Sequence, residues 1–297
     1  MRPSEWLFLS YFAYVVVLSA IFRDRPHLHA SQPLIYFFAA LSLFLSLKSL
    51  QRGRLETVVA IMRDWLPIVV LFVAFREMEL FVPARYDLAL ESGWIKLDQI
   101  VLHDWGLRAL IERTGTAAPL YFEFCYLLVY GLAVFTLGWI AALDNRRLID
   151  YFWAVYLSGT LSAYALFPFF PSLPPRYAFT LVEPPQVTTW VRTLNLELLR
   201  GATIHAGVFP SAHVSSAFSA VWALYFIFPK KHWLAHAMLV YAISVSTATV
   251  YGRYHYVADV LAGFAVSLIA LGVAFSMKSY VQKHQGFETA RRAGNAG

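Results

Sequence analysis

Two histidines hold the residue types and spacings that could do chemistry. His255 stands at the start of an apolar run in Arg253-Tyr254-His255-Tyr256-Val257-Ala258-Asp259, with Asp259 four residues on. On a helix, positions i and i+4 share a face one turn apart. A carboxylate there accepts the proton of one ring nitrogen, fixes the tautomer, and leaves the other nitrogen free to act as nucleophile or base. His213 closes Phe209-Pro210-Ser211-Ala212-His213, again where a polar segment enters an apolar run. Pro210 suits the first turn of a helix. The backbone N–H groups of Ser211, Ala212 and His213 would then point out of a helix start that favours an anion. Ser211 adds a hydroxyl donor or caps the helix. His213 is placed to protonate a leaving oxygen. Arg253 lies two residues before His255, and Arg176 follows two prolines in Pro174-Pro175-Arg176-Tyr177. A guanidinium fork matches phosphate oxygens.

Each feature alone has a plainer reading: a local His–Asp pair at a helix start, an N-cap beside an interfacial histidine, or arginines meeting lipid head groups. Together they supply cations for non-bridging oxygens, a nucleophile and an acid, which is what phosphoryl transfer through a phosphohistidine requires. No metal is expected, because too few carboxylates stand near the histidines and no His-Glu-x-x-His pattern occurs. No other cofactor is implied.

The elements that must position these residues cross a membrane. Of 297 residues, 59% are hydrophobic, 17% aromatic and only 14% charged, against about 25% charged in a soluble domain. Apolar runs fit the ~20 residues that span ~30 Å of hydrocarbon. Eight spans are expected: Trp6–Phe22, Leu34–Leu50, Trp65–Phe81, Leu120–Leu143, Tyr151–Phe167, Ser211–Phe228, Leu234–Val250 and His255–Met277. The expected fold is all-α, a polytopic bundle of about eight transmembrane helices with interfacial amphipathic helices. It forms one membrane domain over 1–297, with a reaction core at about 120–277, accessory helices at 1–83 and a loose tail at 278–297. Basic residues lie in connectors, so they orient the chain and give no reason to expect nucleic acid. Eight spans put 13 Lys/Arg and 6 Asp/Glu on the side of both termini, and 11 Lys/Arg and 12 Asp/Glu on the other. Positive-inside bias then makes both termini cytoplasmic, and Arg176, His213 and His255 share the non-cytoplasmic face. A single domain without long loops suits a bacterial inner membrane.

Pro-Pro-Arg at 174–176, Pro-Ser-Ala-His at 210–213, then Arg-Tyr-His-Tyr-x-x-Asp-Val-Leu-Ala-Gly at 253–263 resembles the type 2 phosphatidic acid phosphatase superfamily. The likeness is greatest to the branch that includes inositol phosphorylceramide synthases. It covers about Phe167 to Gly263, with looser likeness at Tyr126-Leu127 and Leu97-Asp98. The resemblance implies His255 as nucleophile, Asp259 as its partner and His213 as general acid, with Arg176, Ser211 and Arg253 as phosphate ligands and Ala212 in the same loop. The chain departs from the family pattern at Phe169, Tyr177, Ala212 and Thr249, where the family has Lys, Pro, Gly and Arg. The nucleophile, partner and acid are kept while the cationic pocket is rearranged, which fits the phosphotransferase-like branch.

Several further residues bear on the site. Leu97, Ile100, Val101, Asp104, Leu107, Arg108 and Ile111 fall at helical spacing and suggest one amphipathic helix in the interface. Val191, Leu194 and Leu198 share a face of a helix over 188–200 that is either interfacial or a lid over the site. Arg76, Glu77 and Glu79 read as an ion-paired helix end, His205 as a solvated loop histidine, His232 and His236 as head-group neighbours, and Cys125 as core.

The leading function is an integral membrane lipid phosphatase or head-group phosphotransferase acting on a phospholipid, prenyl phosphate or sphingolipid. A transporter or lipid-binding protein using the same cluster without covalent chemistry is the alternative. Its polar residues would then be expected at the bilayer midplane rather than at helix ends. A serine hydrolase using Ser211 ranks below both, because Ser211 and His213 point in different directions from a helix start. Oligomeric state is left open.

Overall fold

The computed structural model describes residues 1–282 except 30, 52–54, 144–145, 180–183, 206 and 280. The tail expected to be loose falls largely on 283–297, outside the described residues. The described chain is all-α: α1 Pro3–Ile21, α2 Ser31–Leu50, α3 Glu56–Glu77, α4 Ala89–Gln99, α5 Leu107–Glu112, α6 Ala117–Leu128, α7 Leu132–Ala142, α8 Ile149–Leu166, α9 Pro175–Ala178, α10 Trp190–Ala202, α11 Ala212–Ile227, α12 Trp233–Tyr251 and α13 Val257–Ser276. Among the described residues, seven stretches are long and apolar enough to cross a membrane, with α6 and α7 forming one of them through a 3₁₀ turn at Val129–Gly131.

The expected Ser211–Phe228 span is the short one. α11 has 16 residues, about 24 Å of helix, against ~30 Å of hydrocarbon. Its position explains the length. It packs against α8, α12 and α13, so it matches a protein interior rather than a bilayer. Small residues allow that close packing. Ser215 Oγ donates to the Gly159 carbonyl on α8 at 3.0 Å. On α13, a Cβ at Gly263 would overlap the Ser211 carbonyl.

The two ends of the bundle differ. At one, Arg63 Nε donates to Glu5 at 2.7 Å, while Arg2 and Arg146 both hold Asp64 at 2.7 and 2.8 Å. These charges tie α1 and α3 to the segment before α8. Arg63 and Asp64, expected in a loop, are buried because α3 begins at Glu56, nine residues before the expected Trp65. The other end carries the histidines.

Two expectations are corrected at that second end. The segment from Leu97 to Ile111 is not one helix. A π turn at Ile100–Asp104 and Gly106 at φ 71° separate α4 from α5. The break turns Asp98 and Arg108 inward. The face of α10 is also rotated from the expected one. Leu194 and Leu198 are exposed, while Val191, Arg192 and Asn195 are buried. The polar residues turn inward because they have buried partners there.

Candidate active site

The loop from Gly252 to Tyr256, between α12 and α13, presents His255, and the start of α11 presents His213. Asp259 Oδ2 lies 3.1 Å from His255 Nδ1 and also accepts the Tyr256 N–H at 2.9 Å. His255 Nε2 lies 3.1 Å from His213 Nδ1. With Asp259 accepting the Nδ1 proton, Nε2 of His255 is the lone-pair nitrogen, and His213 donates to it from Nδ1. The three groups form one hydrogen-bonded row, Asp259–His255–His213. Burial, then the nearby Arg176 guanidinium, pushes His255 down to about 3. It is therefore neutral at ordinary pH, the form a nucleophile needs.

Arg176 follows Pro174 and Pro175 into the short helix α9. Its guanidinium lies 4.6 Å from the Tyr177 ring centroid and 5.6 Å from that of Tyr254. Its Nε is buried with no hydrogen-bond partner among the described residues. It lines a cavity of about 280 Å³ together with Ala212, His213 and His255. Ser211 is the N-cap of α11: its hydroxyl accepts the Val214 N–H at 3.4 Å, and its own N–H donates to the Asp259 carbonyl at 2.9 Å. Pro210 therefore stands before the cap and not in the first turn. The N–H groups of Ala212 and His213 remain at the open helix start. Arg253 is placed differently from Arg176. It sits at φ 62° and donates to Asp98 at 2.9 Å, turned from the cavity.

Sequence reasoning gave no role to three supports, naming Asp98 and Tyr126 only within segments of looser family likeness. Asp98 on α4 is fully buried, and its other oxygen accepts the Val257 N–H at 2.8 Å. It thus braces the first residue of α13 and the loop that carries His255. Burial raises its carboxyl to about 6 despite both bonds, and lowers the Arg253 guanidinium. Glu123 on α6 accepts from Arg192 at 2.8 Å, Asn195 at 2.8 Å and Tyr254 at 2.6 Å. This buried knot fastens α10 to α6, so α10 is clamped where a lid would swing. A carboxylate inside the expected Leu120–Leu143 span was the signal that could have found Glu123. Tyr126 and Tyr130 are the third support. Their rings lie 5.4 and 5.5 Å from His213, and Tyr126 stacks on Tyr254 at 3.8 Å.

The secondary candidates sort in the same way. Glu79, not Glu77, is ion-paired, at 2.8 Å from the exposed His205. Arg76 reaches the Thr203 carbonyl at 3.5 Å. Glu77 is buried, and neither carboxylate oxygen has a hydrogen-bond partner among the described residues. His232 stacks on Tyr225 and lies near His236. Cys125 is buried in the core.

The family model described as the PAP2 superfamily matches residues 95–273, from α4 through nearly all of α13. No curated protein and no solved structure matches the chain.

Proposed function

The chain belongs to the PAP2 superfamily, and from that premise we propose that it is an integral membrane lipid phosphoesterase working through a phosphohistidine. One observation carries the reading: the Asp259–His255–His213 row, with spacings of 3.1 and 3.1 Å, ends in a cavity that also holds Arg176.

The phosphoryl group takes the place His213 now occupies at His255 Nε2. The Nε2 lone pair attacks phosphorus, and the bond from phosphorus to the leaving oxygen breaks. His213, doubly protonated once the phosphate anion faces it, gives that oxygen one proton and is left as the neutral ring. Arg176 and the N–H groups of Ala212 and His213 balance the charge on the non-bridging oxygens. Asp259 holds the His255 ring and offsets the positive charge that develops on it. Water or a lipid alcohol then attacks phosphorus, gives its proton to His213, and the phosphorus–nitrogen bond breaks. Ser211 supports this pocket as the cap of α11 and contributes its hydroxyl hydrogen. Arg253 acts through Asp98 as a positioning residue.

The Arg-Tyr-His-Tyr-x-x-Asp stretch favours the inositol phosphorylceramide synthase-like branch, with transfer to a second lipid. Phospholipids, prenyl phosphates and sphingolipids are the donor and acceptor classes. The charge bias between connectors supports cytoplasmic termini, with the histidines on the non-cytoplasmic face of a bacterial inner membrane.

The test is a mass-spectrometric product assay on purified protein in mixed micelles. Donors are phosphatidic acid, a prenyl pyrophosphate and phosphatidylinositol, each with and without diacylglycerol or ceramide. Dephosphorylated lipid, or a new head-grouped lipid that needs the acceptor, is the expected result, and His255→Ala loses both. Donor binding without cleavage, or full turnover by a well-folded His255→Ala protein, overturns the proposal.

A further inference from the structure

The cavity that ends at the histidines is two-sided. Arg176, His213 and His255 lie at one end. From there it runs down into the apolar part of the bundle, walled by Ile68, Leu71, Phe72 and Phe75 of α3 and by Ala133 and Val134 of α7. Its lining residues change character along the way. Leu71 and Phe75 are half-buried, but Phe72 is 60% exposed and Val134 41% exposed. Both belong to stretches long and apolar enough to cross a membrane, which would turn their exposed faces to lipid. The cavity therefore reaches the bilayer between α3 and α7. A cation and two imidazoles at one end of an apolar trench describe the complement of a lipid phosphate.

Resting on the phosphoesterase reading, we propose that this trench holds a hydrocarbon tail of the substrate, admitted from the bilayer between α3 and α7, and that α3 selects the tail. The helix doing so lies outside residues 95–273, the part that matches the family. Of the first three helices, α3 is then part of the substrate site rather than an accessory to it. A cavity of about 280 Å³ is of the size that takes part of a hydrocarbon tail. A tail entering from the bilayer exchanges one hydrocarbon surrounding for another, so selection comes from how closely the walls pack on it, and a tail too short to reach α3 loses that packing.

Two measurements test this. The first does not need turnover. Phosphatidic acid with a photoreactive diazirine in the middle of one tail is bound to His255→Ala protein in phosphatidylcholine micelles and irradiated, and labelled peptides are mapped. Labelling concentrated on the peptides of α3 and α7, and lost in Leu71→Trp or Val134→Trp, is expected. Labelling spread evenly over the outer faces of all spans, or unchanged by both tryptophans, overturns the tail site. The second compares kcat/KM for phosphatidic acids with eighteen-carbon and six-carbon tails. Leu71→Trp lowers the long-to-short ratio at least tenfold, and Val134→Trp, at the mouth, serves where Leu71→Trp folds poorly. An unchanged ratio in a folded variant also overturns the site. If wild-type protein cleaves neither lipid, phosphatidic acid is not its donor, the phosphoesterase reading is decided by the donor panel above, and the labelling pattern alone decides whether the trench binds tails.

Discussion

Asp98 offers the sharpest test of how the nucleophile is held. The Asp98–Arg253 pair is buried, with side chains 0% and 7% exposed. Asp98 bonds Arg253 at 2.9 Å and the Val257 N–H at 2.8 Å, yet burial still raises its carboxyl to about 6. Desolvation outweighs the attraction, so the intact pair contributes little over an apolar pair of equal volume. Breaking it is another matter. Asp98→Ala leaves a buried guanidinium that cannot lose its proton, together with an orphaned N–H at the start of α13. Such a break costs about 3–5 kcal/mol, or roughly 10 °C in melting temperature at about 2–4 °C per kcal/mol. Arg253→Met costs less, because a carboxyl already raised to about 6 takes up a proton and discharges itself. The double variant Asp98→Ala/Arg253→Met is therefore more stable than Asp98→Ala alone, by about 1–2 kcal/mol. Turnover follows the geometry: a shift of His255 by ~1 Å costs about 10²-fold. The assay is thermal unfolding in one detergent for the wild type and three variants, with kcat measured on each. A double variant no more stable than Asp98→Ala, or Asp98→Ala melting with the wild type, refutes the reasoning.

Other outcomes can be checked alongside. The folded Asp98 carboxyl binds its proton more tightly than the unfolded one, so its contribution to stability is present below about pH 4 and lost as pH rises to about 6; the stability difference between wild type and Asp98→Asn has that slope. His255 is shifted the other way: its contribution is present above the unfolded value near 6.5 and lost as pH falls toward about 3. Its ring therefore stays neutral at pH 5 by NMR, where a free histidine is charged, and a titration near 6.5 contradicts the burial argument. Gly263→Ala drives a methyl into the Ser211 carbonyl, destabilises by about 1–3 kcal/mol and lowers kcat by moving His213 from His255. Glu123→Gln removes the charge that holds Arg192. It lowers stability by about 2–3 kcal/mol and makes α10 accessible to proteolysis, which unchanged protease resistance would rule out.

The sequence was most legible where one physical signal dominated. Apolar run length determined the spans, because hydrocarbon thickness is a single number that every crossing segment must meet. The exception, α11, is the segment most of whose surface is covered by other helices. The pairing of His255 with Asp259 was readable because the two are near neighbours in sequence, although not for the helical reason expected: His255 stands in the loop just before the N-cap Tyr256, and Asp259, at the third position of α13, turns its carboxylate back to reach it at 3.1 Å. Tertiary structure alone decided what lay between distant segments. Nothing in Arg253 distinguishes a phosphate ligand from a brace until Asp98, 155 residues away, is seen to hold it. Helical spacing alone did not predict that Gly106 would end the run from Leu97 to Ile111, or which face of α10 would turn inward. The second depended on where Glu123 stood. The row from Asp259 through His255 to His213 joins a local pair to a residue 42 positions away, and that join is made by the packing of α11 against α13. Periodicity reports what a segment presents; which partner receives it is settled only when the helices meet.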